Sequence, residues 1–375
     1  MSASEILTGF LPHFFYSQFF ITPPSPTHDC SGQTIIVTGS NTGLGKEAVR
    51  HFVRLNAEKV IIACRTTAKG EAAKQDIEAS TGRKGVVDVW PLDLTDYESV
   101  KAFAQRAKGL VRLDVALLNA GISKFGDSFP IFMGGRRFFP SDLAGLGRVL
   151  AYDLFMADTP DFTTVAGNES TITVNVVSTF LLALLLLPKL QESGNRVNTI
   201  PTLTVVSSEM HFVTSFPERT SPTIFKTLNE PEEARMPERY ALSKLLEVLA
   251  CREIARNHPV DQLKVTLNFV NPGWCISELV RYSVASFGSV AKTVLNLVMR
   301  VMCRTTEVGS RTLVHAGLSG PETHGKYMSN CRIEECAPLV QGKEGPEIQR
   351  RVWQELSEKL NEIEPGVTKV LDSRR

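Results

Sequence analysis

A chain of 375 residues, 43% of them hydrophobic, can bury one large core or two modest ones. Its formal charge of +1 gives no reason to expect a nucleic acid or another polyanion as partner. The seven cysteines are irregularly spaced with no Cys-x-x-Cys pair, and the seven histidines include no His-Glu-x-x-His, which argues against a disulfide framework or metal site and for a reducing, cytoplasmic compartment.

Residues 1–30 read as an N-terminal extension. Residues 6–21 are rich in phenylalanine and leucine, yet lack lysine, arginine and a small-residue cleavage site. The segment fails as a secretory signal and is too short and interrupted to span a bilayer. It either packs on the domain or touches a membrane surface. From Gln33 onward short β-rich runs alternate with helical patterns: strands at 34–37, 59–63, 86–90, 114–118, 203–206 and 264–270, with helices near 44–55, 68–79, 171–187 and 240–257. Short apolar runs bounded by turns and alternating with helices describe a parallel sheet covered on both faces. The predicted fold is α/β, a doubly wound Rossmann-type sheet over residues 31–330. The apolar run 180–187, before Pro188, reads as a buried helix. A last helix is expected over 347–362, within a C-terminal extension of residues 331–375.

Chemistry enters at Thr38-Gly-Ser-Asn-Thr-Gly-Leu-Gly45, between the first strand and helix. Gly39 permits a tight turn, Gly43 a close approach of backbone to a pyrophosphate, and Gly45 close packing of the helix. The helix opening at Leu44 presents unpaired N–H groups to that anion. The end of the second strand should reach the adenosine ribose, where an NAD site usually holds a carboxylate. Here stand Cys64 and Arg65, and no acid before Glu71. Arginine can bind a 2′-phosphate with two N–H bonds, so NADP(H) is expected, unless Arg65 is a solvated loop charge. Tyr240 and Lys244, four apart, share one helix face. An ammonium there favours the phenolate and is expected to pull the phenol below its free value of about 10.

The chain resembles the short-chain dehydrogenase/reductase family from about Gln33 to Tyr327. The elements that carry the resemblance are the glycine loop, Asp93-Leu94, Asn119-Ala-Gly121, Asn175, Val206-Ser-Ser208, Tyr240-x-x-x-Lys244 and Asn271-Pro-Gly273 with Ser277. Ala63-Cys-Arg65 and Lys69-Gly-Glu71 further resemble the retinol-dehydrogenase-like branch and fungal relatives tied to secondary metabolism. The resemblance implies that Tyr240 is the general acid/base and that Lys244 lowers its pKa and holds the nicotinamide ribose. It implies that Ser208 polarises the substrate oxygen and that Asn175 anchors a proton-relaying water. Gly39, Ser40, Asn41, Gly43, Leu44, Gly45, Arg65, Asp93, Leu94, Asn119, Ala120, Gly121, Pro272, Gly273 and Ser277 would line the cofactor site. Ser207 is the alternative to Ser208, since alternation along a strand places only one of them in the cleft. Asn175 has the alternative of an ordinary helix-bend residue. His211 reads as packing or a pocket edge, and Trp274 and Phe287 as pocket walls.

Two intervals exceed the family's usual spacing. Ser208 and Tyr240 lie 32 positions apart, so residues 209–239 should loop beside the pocket, which residues 274–303 would complete. Gly121 and Asn175 lie 54 apart, leaving residues 125–161 as either a lid over the substrate mouth or an in-frame insertion of the kind a retained intron in the gene model produces. The expected activity is NADP(H)-dependent interconversion of an alcohol and a ketone or aldehyde on an apolar small molecule, plausibly in secondary metabolism. The alternatives are a membrane-associated retinol- or lipid-type dehydrogenase and, in another class, a non-catalytic NADP-sensing regulator. Peripheral membrane contact and a homodimer are compatible with this reading.

Overall fold

The computed structural model describes residues 10–123, 161–276 and 302–372. The expected lid or insertion (apart from Asp161), Ser277, Phe287 and most of the 274–303 pocket segment lie outside the described residues.

β-Branched runs make the central strands. β1 (Thr34–Thr38) is buried along its whole length, and β2 (Lys59–Cys64) along all but its first residue. β3 (Val87–Pro91), β4 (Val115–Leu118), β5 (Thr202–Val206), β6 (Thr266–Asn271), β7 (Tyr327–Ser329) and β8 (Arg332–Glu334) complete one sheet of order β8-β7-β6-β5-β4-β1-β2-β3. Every pairing is parallel except β7 with β8. The order reverses between β1 and β4, which register Val37 against Leu117. A ligand crevice belongs at such a reversal, outside the carboxyl ends of the strands.

Helices cover both faces. α1 (Leu11–Phe20) precedes the sheet; α2 (Gly43–Arg54) and α3 (Thr67–Thr81) follow β1 and β2. α4 (Tyr97–Lys108), α5 (Thr179–Val197) and α6 (Arg239–Asn257) come next, then α7 (Thr306–Gly317) and α8 (Gly345–Ile363). Val49 and Phe52 of α2, Ile77 of α3 and Leu313 of α7 build the core on one face. Phe103 of α4, Phe180 of α5, Leu249 of α6 and Val352 of α8 build the other. Residues 172–197 are long and apolar enough to cross a membrane, yet 89% of their most apolar window is buried inside the protein. The run 180–187 is therefore an interior helix, as its composition implies.

Helices α1, α4 and α7 and strands β7 and β8 are not among the predicted elements. Asp96 caps α4 by accepting from the Glu98 N–H, and Thr305 caps α7 by accepting from Val308. β7 and β8 extend the sheet, so the chain beyond residue 330 is part of the fold and not an appendage. α8 packs on α6 through Gln349, whose amide donates to Glu253 at 2.8 Å.

α1 docks on the domain. Phe14 packs tilted against Trp274 at 5.7 Å, and Phe10 stacks on Phe212 at 5.7 Å. Tyr16, Phe19 and Phe20 remain exposed.

Helix α7 runs under the loop after β6 at Gly309. A Cβ there would collide with the Cys275 sulfur, stand 2.9 Å from Leu44 Cδ2 and crowd the Pro272 carbonyl at 3.3 Å. Gly309→Ala is therefore expected to lower stability by about 1–3 kcal/mol, the usual cost of overpacking. Urea unfolding followed by circular dichroism reads this, and an unchanged midpoint would contradict the packing described.

Candidate active site

The crevice at the β1/β4 reversal is a cleft of about 250 Å³, lined by the glycine turn, the ends of β2 and β4, and the segment after β3. Gly39 has φ 63°, and a Cβ on it would lie 2.8 Å from the Ala120 Cα. Gly45 has no space either, since its Cβ would meet Asn119 Nδ2 at 2.6 Å. Gly43, at φ 58°, faces nothing within 4 Å. The two outer glycines thus serve the packing of turn and helix, and the middle one leaves backbone open to a ligand. Ser40 turns inward: it is fully buried, and its hydroxyl donates to the Val37 carbonyl at 2.6 Å, so it braces the turn and does not line the cleft.

The Asn119 amide donates to the Thr38 carbonyl at 2.9 Å and the Gly39 carbonyl at 3.3 Å, while Ala120 N–H donates to the Thr38 hydroxyl. Asn41, Arg65, Asp93, Leu94 and Gly121 also line the cleft. Asp93 is fixed by accepting from the Thr95 N–H and hydroxyl. Arg65 is exposed at the cleft's edge. Lys69, which carried no role in the sequence reading beyond the resemblance, is a second cation lining the same end. It lies in the first turn of α3, just after the loop that carries Arg65.

Tyr240 and Lys244 lie one turn apart on α6, with the Lys244 Nζ 5.6 Å from the centre of the phenol ring. The Ser208 side chain stands near enough to the phenol to favour its ionised form. Ser208 Oγ also accepts from the Met210 N–H at 3.2 Å, which leaves its proton to donate elsewhere. Ser207 points the other way, its hydroxyl donating to the Lys244 carbonyl at 3.0 Å. Of the two serines, Ser208 is the one placed beside the phenol.

The expected depression of the phenol pKa is overturned. Burial raises it, and this outweighs the lowering effect of the Lys244 charge. Glu247, which carries no role in the sequence pattern, adds to the effect of burial. It accepts from Lys244 Nζ at 2.8 Å, one turn further along α6, and shares the ammonium's charge. Burial alone would lower the Lys244 pKa, but Glu247 and Tyr240 hold it above the usual value. The Glu247 carboxyl is itself pushed up to about 7, chiefly by burial. The available signal was an acid three residues after the lysine, inside the apolar stretch Leu245–Ala250.

Asn175 sits in a widened, π-helical turn (Ile172–Ser178) leading into α5. Its amide accepts from the Ile122 N–H at 2.8 Å, donates to the Ile122 carbonyl at 3.0 Å and reaches Ser243 at 2.9 Å. It thereby clamps the chain that follows Gly121, close to Lys244. After β6, Gly273 N–H donates to the Asn271 side chain, and the Pro272 carbonyl accepts from Arg304. Glu209, next to Ser208, is a further buried acid missed by the sequence reading; burial pushes it up to about 7.

The model of the family described as short chain dehydrogenase matches residues 33–130. The chain is 44% identical over 361 residues to "Short chain dehydrogenase/reductase dmxR8" of Cryptosporiopsis sp., covering 95% of this chain and 98% of that protein. It is 39% identical to "Short-chain dehydrogenase anuD" of Penicillium roqueforti, covering 94% of this chain and 84% of that protein. Among solved structures, the Pseudomonas aeruginosa RhlG/NADP active-site complex is similar in fold, with a TM-score of 0.52 at 18% identity, over 80% of this chain and 95% of that one.

His211 ties the site to the C-terminal segment. Its Nδ1 lies 2.6 Å from the Ser208 carbonyl and its Nε2 accepts from Ala337 N–H at 3.2 Å, so a neutral ring protonated on Nδ1 satisfies both contacts. Burial lowers its pKa to about 4. A depressed histidine contributes stability that is present above its unfolded pKa of about 6.5 and is lost as pH falls through the folded value. Between pH 7 and 5 that loss is about 2 kcal/mol. His211→Gln should therefore lose about 2 kcal/mol less than the parent over this interval in denaturant titrations. Equal losses in the two proteins would show that His211 is not held neutral.

Proposed function

The chain belongs to the short-chain dehydrogenase/reductase family of oxidoreductases, and from that premise we propose that it uses NADP(H) to interconvert an alcohol and a ketone or aldehyde on an apolar small molecule. The observation that carries this reading is the placement of Ser208 beside the Tyr240 phenol at the carboxyl end of β5, with Lys244 Nζ 5.6 Å from the ring centre.

The cleft fits the cofactor. The backbone at Gly43 is open where a Cβ would otherwise intrude, and the first N–H groups of α2 face that opening to receive a pyrophosphate. Arg65 and Lys69 suit a 2′-phosphate, and no carboxylate lies between Cys64 and Lys69 to repel it. Asp93 and Leu94 would border the adenine, and Pro272 and Gly273 the nicotinamide. When bound, NADP(H) supplies or accepts a hydride. The chain's own part is the proton. Tyr240 gives its phenolic proton to the carbonyl oxygen in reduction and removes it from the alcohol in oxidation. Ser208 donates a hydrogen bond to the same oxygen and steadies the charge that builds there. The raised phenol pKa keeps Tyr240 protonated at neutral pH, the form that reduction requires. Resemblance to fungal relatives supports a place in secondary metabolism.

Tyr240→Phe is expected to lower kcat by about 10²–10⁴ while NADPH still binds. Retention of more than about a tenth of the parent rate would remove the phenol from the mechanism.

Cofactor choice has its own test. Arg65→Ala should weaken NADPH binding by roughly 1.5–3 kcal/mol, the range for hydrogen bonds to charged groups, and leave NADH binding nearly unchanged. Fluorescence titration of both cofactors reads the difference, and equal losses would sink the 2′-phosphate assignment.

A further inference from the structure

Glu247 is almost completely buried, at 2% exposure, between apolar neighbours of α6. Its Oε1 accepts from Lys244, while its Oε2 has no hydrogen-bond partner among the described residues. A buried ion pair with one oxygen unsatisfied is poor value as a stabilising device, because desolvation of both charges offsets their attraction and apolar replacements are often as stable. The pair does have a directional effect. Lys244 Nζ donates to Glu247 at 2.8 Å and to the Val206 carbonyl at 2.9 Å, which engages two of the three ammonium N–H groups. The same nitrogen stands 3.6 Å from where a Cβ on Gly121 would lie, at the floor of the cleft.

We propose that Glu247 is a positioning residue for the reaction: a buried counter-ion that anchors the Lys244 ammonium beneath the cleft and moderates its pull on the Tyr240 phenol. The proposal rests on the reading of Tyr240 as the proton-exchanging group. The charges that bear on this cluster are Tyr240, Lys244 and Cys251 on α6 itself and Glu209 from the segment after β5. Glu247 and Glu209 both disfavour the phenolate; Lys244 is the charge that favours it, with a smaller contribution from Ser208. Removing the Glu247 charge while Lys244 stays protonated therefore makes the phenolate easier to form.

The test needs no substrate. Phenolate absorbance is titrated in the full chain, and the curve of the matching Tyr240→Phe protein is subtracted to isolate one phenol among the six tyrosines. In Glu247→Gln the Tyr240 titration should move down by about one pH unit or more, as expected when a close like charge is removed. Glu247→Asp keeps the charge with a shorter reach. It should titrate like the parent but bind NADPH several-fold more weakly, because the ammonium is drawn back from the cleft. An unchanged or upward shift in Glu247→Gln would overturn the charge effect, and unchanged NADPH affinity in a folded Glu247→Asp would overturn the anchor. Should Glu247→Gln not fold, the Glu247→Asp binding measurement decides by itself. Because neither readout involves turnover, a proton donor other than Tyr240 would show in the kinetics of Tyr240→Phe and leave these results independent.

Discussion

The site depends on how β1 and β4 are held at the point where strand order reverses. Chains leaving two adjacent parallel strands toward opposite sides open a crevice, and something must set its width. Here the Asn119 side chain does so, bonding across to the carbonyls of Thr38 and Gly39. The bracing brings Asn119 and Ala120 so close to the glycine turn that neither Gly39 nor Gly45 has room for a side chain. The glycines and the asparagine are therefore one device, and Gly43, outside the braced region, is left facing open space.

Buried charge on α6 is the second organising feature. Within nineteen residues this helix carries Arg239, Lys244 and Glu247, all buried. Arg239 lies 3.7 Å from Glu169, itself fully buried ahead of the widened turn that holds Asn175. Lys244 is hydrogen-bonded to Glu247, while Arg239 has Glu169 as its counter-charge without a hydrogen bond among the described residues; an uncompensated buried charge would cost several kcal/mol. Such pairs favour one rotation of the helix about its axis. Tyr240, between Arg239 and Lys244, is turned toward Ser208 in that rotation, and Ser207 is left to bond the Lys244 carbonyl.

The sheet was legible in the sequence because its central strands are β-branched runs buried on both faces, such as Thr34–Thr38 and Lys59–Cys64. The edge was not legible: β7 and β8 are three residues each, too short for any period to show, and β8 is largely exposed. α7 escaped because glycine, serine and threonine interrupt its apolar face, and its packing relies on Gly309 having no side chain. At the site, the residue types and their helical spacing revealed Tyr240 and Lys244. The electrostatic balance between them did not follow, since it depends on Glu247 and on burial. A pairwise reading of tyrosine and lysine gave the wrong sign for the phenol. Lys69 was missed for a related reason: it bears on the cleft only once α3 is laid beside the end of β2.

The N-terminal extension shows how far from the chemistry the site's support reaches. Gln18 of α1 pairs with the backbone of Trp274, donating to its carbonyl at 2.6 Å and accepting from its N–H at 3.2 Å. Arg304 donates to the carbonyls of Ser17, Ile21 and Pro272 and to the Asn330 side chain, joining α1, the loop after β6 and the loop between β7 and β8. The loop that carries Pro272 and Gly273 is thus held from outside by a helix that the sheet does not need for its own pairing. Binding equilibria that share a structural element are linked, so whatever steadies this loop also steadies α1, and loosening of α1 is felt at the loop. On the cofactor reading, the nicotinamide end of the cleft is the part so held. The adenosine end is built instead from β1, β2 and α3, whose order comes from the sheet alone. One end of the cleft is therefore built by the sheet topology, and the other is held in part by the docking of Phe14 and Gln18 on Trp274.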